Sequence, residues 1–414
     1  MRAAQSALER RSAWLYRRLL GGRHFVGVTG SCAKSTTTRL AGQVLGALGP
    51  GFASGLGGNA GPHISRAVLG IRPSHRYGVQ ELSGHQPGAL DAAIAIFQPT
   101  IGVVTWIRSD HWRAFADPGG IAEEKGKLVA ALPARGTAVL NADDPVVLAM
   151  RARTRARVLT FGLAPEADVR GSDVTSRFPE RLSLTVHHGG ESLPLRTQLV
   201  GEHMASPVLA AVAVGLACGL SLAACVRQLE GAEGVRHRLT VHRLENGATL
   251  LLDTCKAPLW TVEASLRVLE TATAKRKTFV AGTLSDYHGS ASRAYRSVAR
   301  RALEIADRVY FVGPMAERAQ REQARAGDRE LRMFPHTLAL HEHLEGRLED
   351  GDLVLLKGSS AEHLERVLEA RTGPFACWKT RCGIKYACTS CRQRLTPSLP
   401  DAPGAGEAER EAEA

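Results

Sequence analysis

From His24 onward the chain alternates short apolar runs with longer stretches of helical periodicity. HFVGVTG (24–30), RYGVQEL (76–82), IGVVTWI (101–107) and TAVLNA (137–142) read as strands. Each precedes a segment whose apolar residues recur at helical spacing, and such alternation favours a mainly parallel sheet covered by helices. The rhythm changes at LSLTVHHGGESLPLRTQL (182–199), where strict alternation around Gly-Gly predicts a solvated antiparallel hairpin. Residues 205–226 carry no charge but are rich in Ala, Gly and Ser. Gly219 stops one helix and Ser221 caps the next, so two buried helices are expected there rather than a membrane span. A second strand series follows: LTVHRL (239–244), TLLLDT (249–254), KTFVAG (277–282), RVYFVG (308–313) and DLVLLKG (352–358).

The length of 414 residues fits two or three domains at roughly 150 residues each. The expected organisation is a basic amphipathic helix over 1–23, a central α/β domain over 24–234, a smaller Rossmann-like α/β domain over 235–372, a cysteine cluster over 373–394 and a disordered acidic tail over 395–414. The net charge of +12 comes from nine lysines and 44 arginines against 41 acids. An Arg bias spread through an Ala-rich chain reflects composition more than a nucleic-acid surface, so nucleic acid is not an expected partner. Neither a signal peptide nor a membrane span is evident, and a cytoplasmic location is expected. His187, His188, His341 and His343 read as turn and solvated-helix residues rather than a metal site.

The sharpest chemical signal is GVTGSCAKSTTT (27–38), between an apolar strand and a helix. Such a P-loop aims backbone N–H groups and a helix N-terminus at phosphates. Gly30, Ser31 and Thr36 lie along this cradle, Lys34 can reach the terminal phosphates, and the Ser35 hydroxyl can ligate magnesium. Ala33 stands where the general motif has glycine, which a negative φ would tolerate. The cluster CWKTRCGIKYACTSC (377–391) offers four thiols, Cys377, Cys382, Cys388 and Cys391. Tetrahedral zinc is the leading expectation, with an iron–sulfur cluster and disulfides or free thiols as alternatives.

The loop, with its leading glycine one position early, resembles that of the Mur ligases, G-x-T-G-T-x-G-K-T. The likeness continues in order along residues 24–370. Glu81 matches an acidic strand end that ligates magnesium, and TWIRSDHW (105–112) resembles T-N-I-x-x-D-H-L, whose histidine, here His111, is a further metal ligand. IAEEKGKL (121–128) is similar to the I-A-x-x-K-G-E-I of the D-alanyl-D-alanine-adding branch. In that branch the lysine is carbamylated and presents a carboxylate to a second magnesium, which the resemblance implies for Lys125; on its own, beside Glu123 and Glu124, Lys125 reads as a solvated helix-face residue. LNADDP (140–145) resembles the family's nucleotide-side L-N-x-D-D-P, a likeness that implies Asn141 and Asp144 near the nucleotide. GEHMASP (201–207), HRL with Arg238, LLDTCKAP (251–258) with Asp253, and LLKGS (355–359) with Lys357 complete the series.

The resemblance implies an ATP- and magnesium-dependent ligase that activates a carboxylate as an acyl phosphate and joins it to an amino acid or short peptide. Closure of the C-terminal domain would bring in Arg238 and Asp253. Met204, Pro207, Trp106, Cys255 and Lys256 depart from the family pattern. The alternative reading is therefore a catalytically degenerate nucleotide-binding protein or partner subunit. Only 26 residues precede Gly27, where peptidoglycan ligases of the family carry a UDP-binding domain, so a UDP-linked acceptor has no evident dock.

Overall fold

The computed structural model describes residues 2–55, 57–59, 61–110, 114–115, 118–380, 382–383 and 388–401. By its internal contacts the chain divides into two units, Met1–Val235 and Arg236–Ala414.

In the first unit the chain runs α1 (Arg2–Leu19), β1 (His24–Thr29), α2 (Lys34–Leu45), β2 (Gly51–Ala53), α3 (Gly61–Leu69), β3 (Tyr77–Glu81), α4 (Ala89–Phe97), β4 (Ile101–Val104), α5 (Pro118–Ala130), β5 (Thr137–Asn141) and α6 (Pro145–Leu148). It continues through β6 (Arg157–Gly162), β7 (Val169–Thr175), β8 (Ser183–His188), β9 (Glu191–Arg196), α7 (Ala205–Ala217) and α8 (Leu222–Leu229). One nine-stranded sheet takes the order β2-β3-β1-β4-β5-β6-β7-β8-β9. Its strands are parallel as far as β7, after which β8 and β9 form the expected hairpin through Gly189 and Gly190, both at positive φ. Buried on both faces, the parallel strands read as near-continuous apolar runs. β1 lies between β3 and β4, where the chain's progress across the sheet reverses, and in open α/β sheets that reversal leaves a crevice at the carboxyl ends of the strands.

α7 is buried almost throughout, as an all-round apolar helix must be, and the Ser221 hydroxyl accepts the Ala224 N–H to start α8. Among the described residues no helix is long and apolar enough to cross a membrane. α1 is the expected amphipathic helix. It buries Ala13 and Leu20 with Ile64 and Val68 of α3 and Leu90, Ala93 and Phe97 of α4. Arg17 lies in this seam, its guanidinium over the Phe25 ring at 3.3 Å and donating to Phe97 O at 2.7 Å and Gln98 O at 2.6 Å.

The second unit comprises β10 (Thr240–Arg243), β11 (Thr249–Asp253), α9 (Leu259–Thr271), β12 (Arg276–Ala281), α10 (Ala291–Ile305), β13 (Arg308–Val312), β14 (Glu330–Phe334), α11 (Thr337–Leu344), β15 (Asp352–Lys357) and α12 (Arg366–Thr372). Its six-stranded sheet, ordered β10-β11-β15-β12-β13-β14, is parallel except for β10. β2, β6, β7 and β14 are strands that the sequence pattern did not mark. His341 and His343 are not solvated, as expected, but half-buried: the His343 ring packs 5.3 Å from Tyr310 and 5.0 Å from Phe334. Residues 395–401, expected within the tail, turn back onto the cysteine segment. Trp378 N donates to Ser398 O at 3.0 Å, and Ser398 N to Ala376 O at 3.1 Å. The remaining tail, 402–414, lies outside the described residues.

Replacing Arg17 by Met keeps the apolar stem and removes charged donors to two carbonyls. Arg17→Met is expected to lower the unfolding free energy by about 2 kcal/mol in urea titration. An unchanged midpoint would show that α1 is held by its apolar contacts alone.

Candidate functional site

The P-loop is fastened before any ligand is considered. Gly30, at φ +142°, lies so close to β4's exit that a Cβ there would run into the Thr105 hydroxyl. That hydroxyl donates to Cys32 O at 2.6 Å. Ser31 N donates to Trp106 O at 2.6 Å, while the Ser31 hydroxyl donates to Arg108 O and accepts Arg108 N, at 3.0 and 2.9 Å. Ala33 occupies the N-cap of α2 at φ +61°, so the negative φ that would ease an alanine is not met: the residue adopts the left-handed conformation that favours glycine. With no side chain to cap the helix, its first-turn N–H groups are suited to an anion. Lys34 Nζ folds back to Gly30 O at 2.8 Å and lies 3.8 Å from the buried Asp110 carboxylate.

Beside the loop, Ser35 donates to Glu81 Oε2 at 2.6 Å, Asn59 Nδ2 donates to Glu81 Oε1 at 2.8 Å, and the Ser54 hydroxyl accepts Glu81 N at 3.0 Å. A carboxylate, a hydroxyl and an amide oxygen-bearing side chain form a donor set suited to a hard divalent cation. Lys125 of α5 is 1% exposed rather than solvated, and its Nζ lies 3.4 Å from Gly84 O, three residues beyond Glu81. Neighbouring Glu124 is buried because it accepts Gly88 N and Leu90 N at the start of α4, at 3.0 and 2.8 Å. Burial pushes the Glu124 carboxyl up, but Lys127 and those two N–H groups outweigh it and hold it below the usual range.

Asn141 and Asp144 act on the same scaffold. Asn141 Nδ2 donates to Thr105 O at 2.7 Å, and Asp144 accepts Ile107 N and Arg108 Nη1, both at 2.9 Å, while capping α6 through Val146 N. Trp106 Nε1 donates to the Ser206 hydroxyl at 3.1 Å. Thr36 is buried behind the loop. His111 lies outside the described residues. The sequence reading missed Asn59 and the Lys34–Asp110 pair. A pairing of glycine-rich turn and strand end could have flagged Asn59, because Gly55–Gly58 directly precede it.

In the second unit, Asp253 and Lys357 are register partners on β11 and β15. Lys357 Nζ donates to Asp253 Oδ2 at 2.7 Å and the Ser265 hydroxyl donates to the same oxygen at 2.9 Å. Burial pushes the Asp253 carboxyl up, but the Lys357 and Arg238 charges and these hydrogen bonds prevail and hold it below the ordinary range. Half-buried Arg238 is flanked by His237 and Leu239, both left-handed. At the sheet's carboxyl edge Glu362 accepts from the Thr283 and Ser359 hydroxyls, at 2.5 and 2.9 Å, and burial raises its pKa despite them. Cys377, Cys382, Cys388 and Cys391 line a single small cavity.

The profile described as Mur ligase middle domain matches residues 28–215, and that described as Mur ligase, glutamate ligase domain matches residues 237–360. The chain is 29% identical over 385 residues to the UDP-N-acetylmuramoyl-tripeptide–D-alanyl-D-alanine ligase of Mycobacterium tuberculosis, covering 87% of this chain and 75% of that one. It is 26% identical over 349 residues to the UDP-N-acetylmuramate–L-alanine ligase of Pelobacter propionicus, covering 81% and 73%. Among solved structures, MurF from Acinetobacter baumannii superposes with a TM-score of 0.80 at 24% identity, over 88% of this chain and 80% of that one. MurF ligase from Thermotoga maritima in complex with ADP gives 0.76 at 20% identity, over 88% and 82%.

Relieving the left-handed alanine should stabilise the loop. Ala33→Gly is expected to raise unfolding free energy by about 1 kcal/mol in denaturant titration, whereas a loss would mean that the conformation costs nothing. For Asp253 the sign follows from its depressed carboxyl. The stability it contributes is present above the unfolded carboxylate pKa of about 4 and is lost as pH falls through its lower folded value. Asp253→Asn should therefore flatten the acid limb of stability measured from pH 7 down to pH 3. It should also cost about 3 kcal/mol at neutral pH by leaving buried Lys357 without its counter-ion.

Proposed function

The chain belongs to the Mur ligase family of ATP-dependent ligases that form C–N bonds, and on that premise we propose that it joins a carboxylate to the amine of an amino acid or short peptide through an acyl phosphate. The observation that carries this reading is the convergence, at the carboxyl ends of β1 and β3, of the helix-opening Lys34, the Ser35–Glu81 pair and the buried Lys125.

A carboxylate is a poor electrophile, so its oxygen first attacks the γ-phosphorus of ATP and ADP departs. The amine nitrogen then attacks the acyl carbon, inorganic phosphate leaves with the C–O bond electrons, and the amine gives up a proton. The loop's backbone and the N-terminus of α2 hold the phosphates, and Lys34, swung from Gly30 O, offsets charge on the transferring group. Magnesium supplies charge neutralisation on the phosphoryl oxygens. Ser35 and Glu81 would hold it, with Lys125 as a second carboxylate after carbamylation, in which the amine nitrogen bonds CO2 and releases a proton. Carbamylation would place an anion at Lys125's buried position, where a cation held by Ser35 and Glu81 would face it. His111 is the further ligand proposed from the motif. Thr105, Asn141 and Asp144 position the loop, and Arg238 is the proposed contribution of the second unit, with Asp253 acting there by fixing Lys357. The amine is proposed to be of the D-alanyl-D-alanine class, on the strength of the IAEEKGKL segment and of the relatives' names.

The test is ADP release from ATP and magnesium across a panel of carboxylates and amines that includes D-alanyl-D-alanine. Release should require both substrates and fall at least about 100-fold in Lys34→Ala and Lys125→Ala. Protein held in 13C-bicarbonate should show a carbamate carbon that Lys125→Ala lacks. ATP binding without amine-dependent release from any pair would replace this reading with the nucleotide-binding or partner-subunit one.

A further inference from the structure

The four clustered cysteines are separated by up to fourteen residues in sequence, and the fold brings all four to the wall of one cavity. Cys377, Cys382, Cys388 and Cys391 all line a cavity of about 10 Å³, roofed by Phe375 and Arg366. That is room for the centre of a single water-sized sphere. None of the four forms a disulfide. A water needs polar partners, and four thiols are poor ones, whereas a soft-accepting d10 cation takes four sulfurs tetrahedrally.

We propose that this cavity is a closed structural site in which four thiolates hold one zinc ion. Binding replaces four S–H bonds by four Zn–S bonds and releases four protons, leaving a local charge of −2. Cationic and N–H groups lie beside the sulfurs. Arg366 Nε donates to Cys388 Sγ at 3.4 Å, and the His363 ring sets Nε2 at 3.2 Å from Cys382 Sγ and Nδ1 at 3.3 Å from Cys388 Sγ. Glu365 Oε1 lies 3.1 Å from Nδ1 and fixes the ring's orientation. His363, Glu365 and Cys388 also offer nitrogen, oxygen and sulfur atoms within 4.8 Å of one another. The imidazole does not line the cavity, however, and both its nitrogens sit at hydrogen-bonding distance from ligand sulfurs. It therefore belongs to the outer layer that orients the ligands.

The site has a reach beyond the cysteines. His363 is 3% exposed and held left-handed at φ +51°, a conformation that is unfavourable for a non-glycine residue and persists only where its surroundings impose it. It follows directly on Glu362, which ties Ser359 to Thr283, and the same loop begins at Lys357, the partner of Asp253. The ion thus anchors, through His363, the loop 358–363 at the carboxyl edge of the second sheet.

Metal content is read without turnover, so this inference stands or falls apart from the ligase reading. Untagged full-length protein should carry one zinc per chain by elemental analysis. Exchange for cobalt should give intense sulfur-to-metal charge-transfer absorption with tetrahedral visible bands. Cys391→Ser should lose that four-sulfur spectrum. His363→Gln should keep it while weakening metal affinity by about 10–100-fold, and should increase amide exchange over 358–363. Three results would overturn the proposal: iron with acid-labile sulfide, a mass lowered by disulfide formation, or cobalt spectra without thiolate absorption. A His363→Gln spectrum short of one ligand would overturn the four-thiolate assignment.

Discussion

The approach of Gly30 to Thr105 is the constraint on which the first unit's chemistry rests. Because β4 pairs directly with β1, the exit of one strand crowds the exit of the other, and only a residue without Cβ fits between them. The crowding is what lets Thr105 reach Cys32 O and lets the Ser31 and Arg108 groups pair. Those bonds leave the loop little freedom to reorganise, and in the proposed reaction preorganised dipoles would be where a phosphoryl-transfer site gains most. Asn141 and Asp144 extend the same bracing to β5, so a loop of four residues is held by three strands.

The two units present carboxylates at comparable strand ends but treat their charge differently. Glu81 is met by the hydroxyl of Ser35 and the amide of Asn59, which satisfy its oxygens without neutralising it. Asp253 is neutralised in place by Lys357 and shares an oxygen with Ser265. By Coulomb's law at short range, the first site retains an attraction for a cation and the second has already used it. Asp253 is thus better understood as the residue that fixes Lys357 and the loop beyond it than as a ligand in its own right.

Much of this was legible in the sequence because its signals are local. The parallel strands announced themselves as apolar runs, the hairpin as alternation around Gly189–Gly190, and the paired helices by Gly219 and Ser221. β2 has only three residues, and β14 interrupts its apolar positions with Glu330 and Arg332, so neither stands out as an apolar run; each pairs with a neighbouring strand that periodicity cannot see. Lys125 shows the limit most clearly. Beside Glu123 and Glu124 it reads as part of a solvated face, yet Glu124 turns inward to satisfy the N–H groups that open α4, and the face turns with it. A tertiary demand for hydrogen-bond partners decided the burial of both residues.

Some of the left-handed non-glycine residues fall at the sites already described. Ala33 stands in the phosphate loop, His237 and Leu239 flank Arg238, and His363 backs the cysteines, each non-glycine and each left-handed. Identity alone could not reveal this, since alanine in the loop is compatible with either sign of φ until the turn's exits are fixed. Once β1 ends at Thr29 and α2 opens at Lys34, the path between them demands a left-handed step, and Thr37 N closing on Ala33 O at 2.9 Å secures it. Strain of this kind survives only when the surrounding bonds over-determine the conformation. Its presence at Ala33 means that the turn between β1 and α2, rather than the identity of the residue in it, sets the path of the loop's backbone.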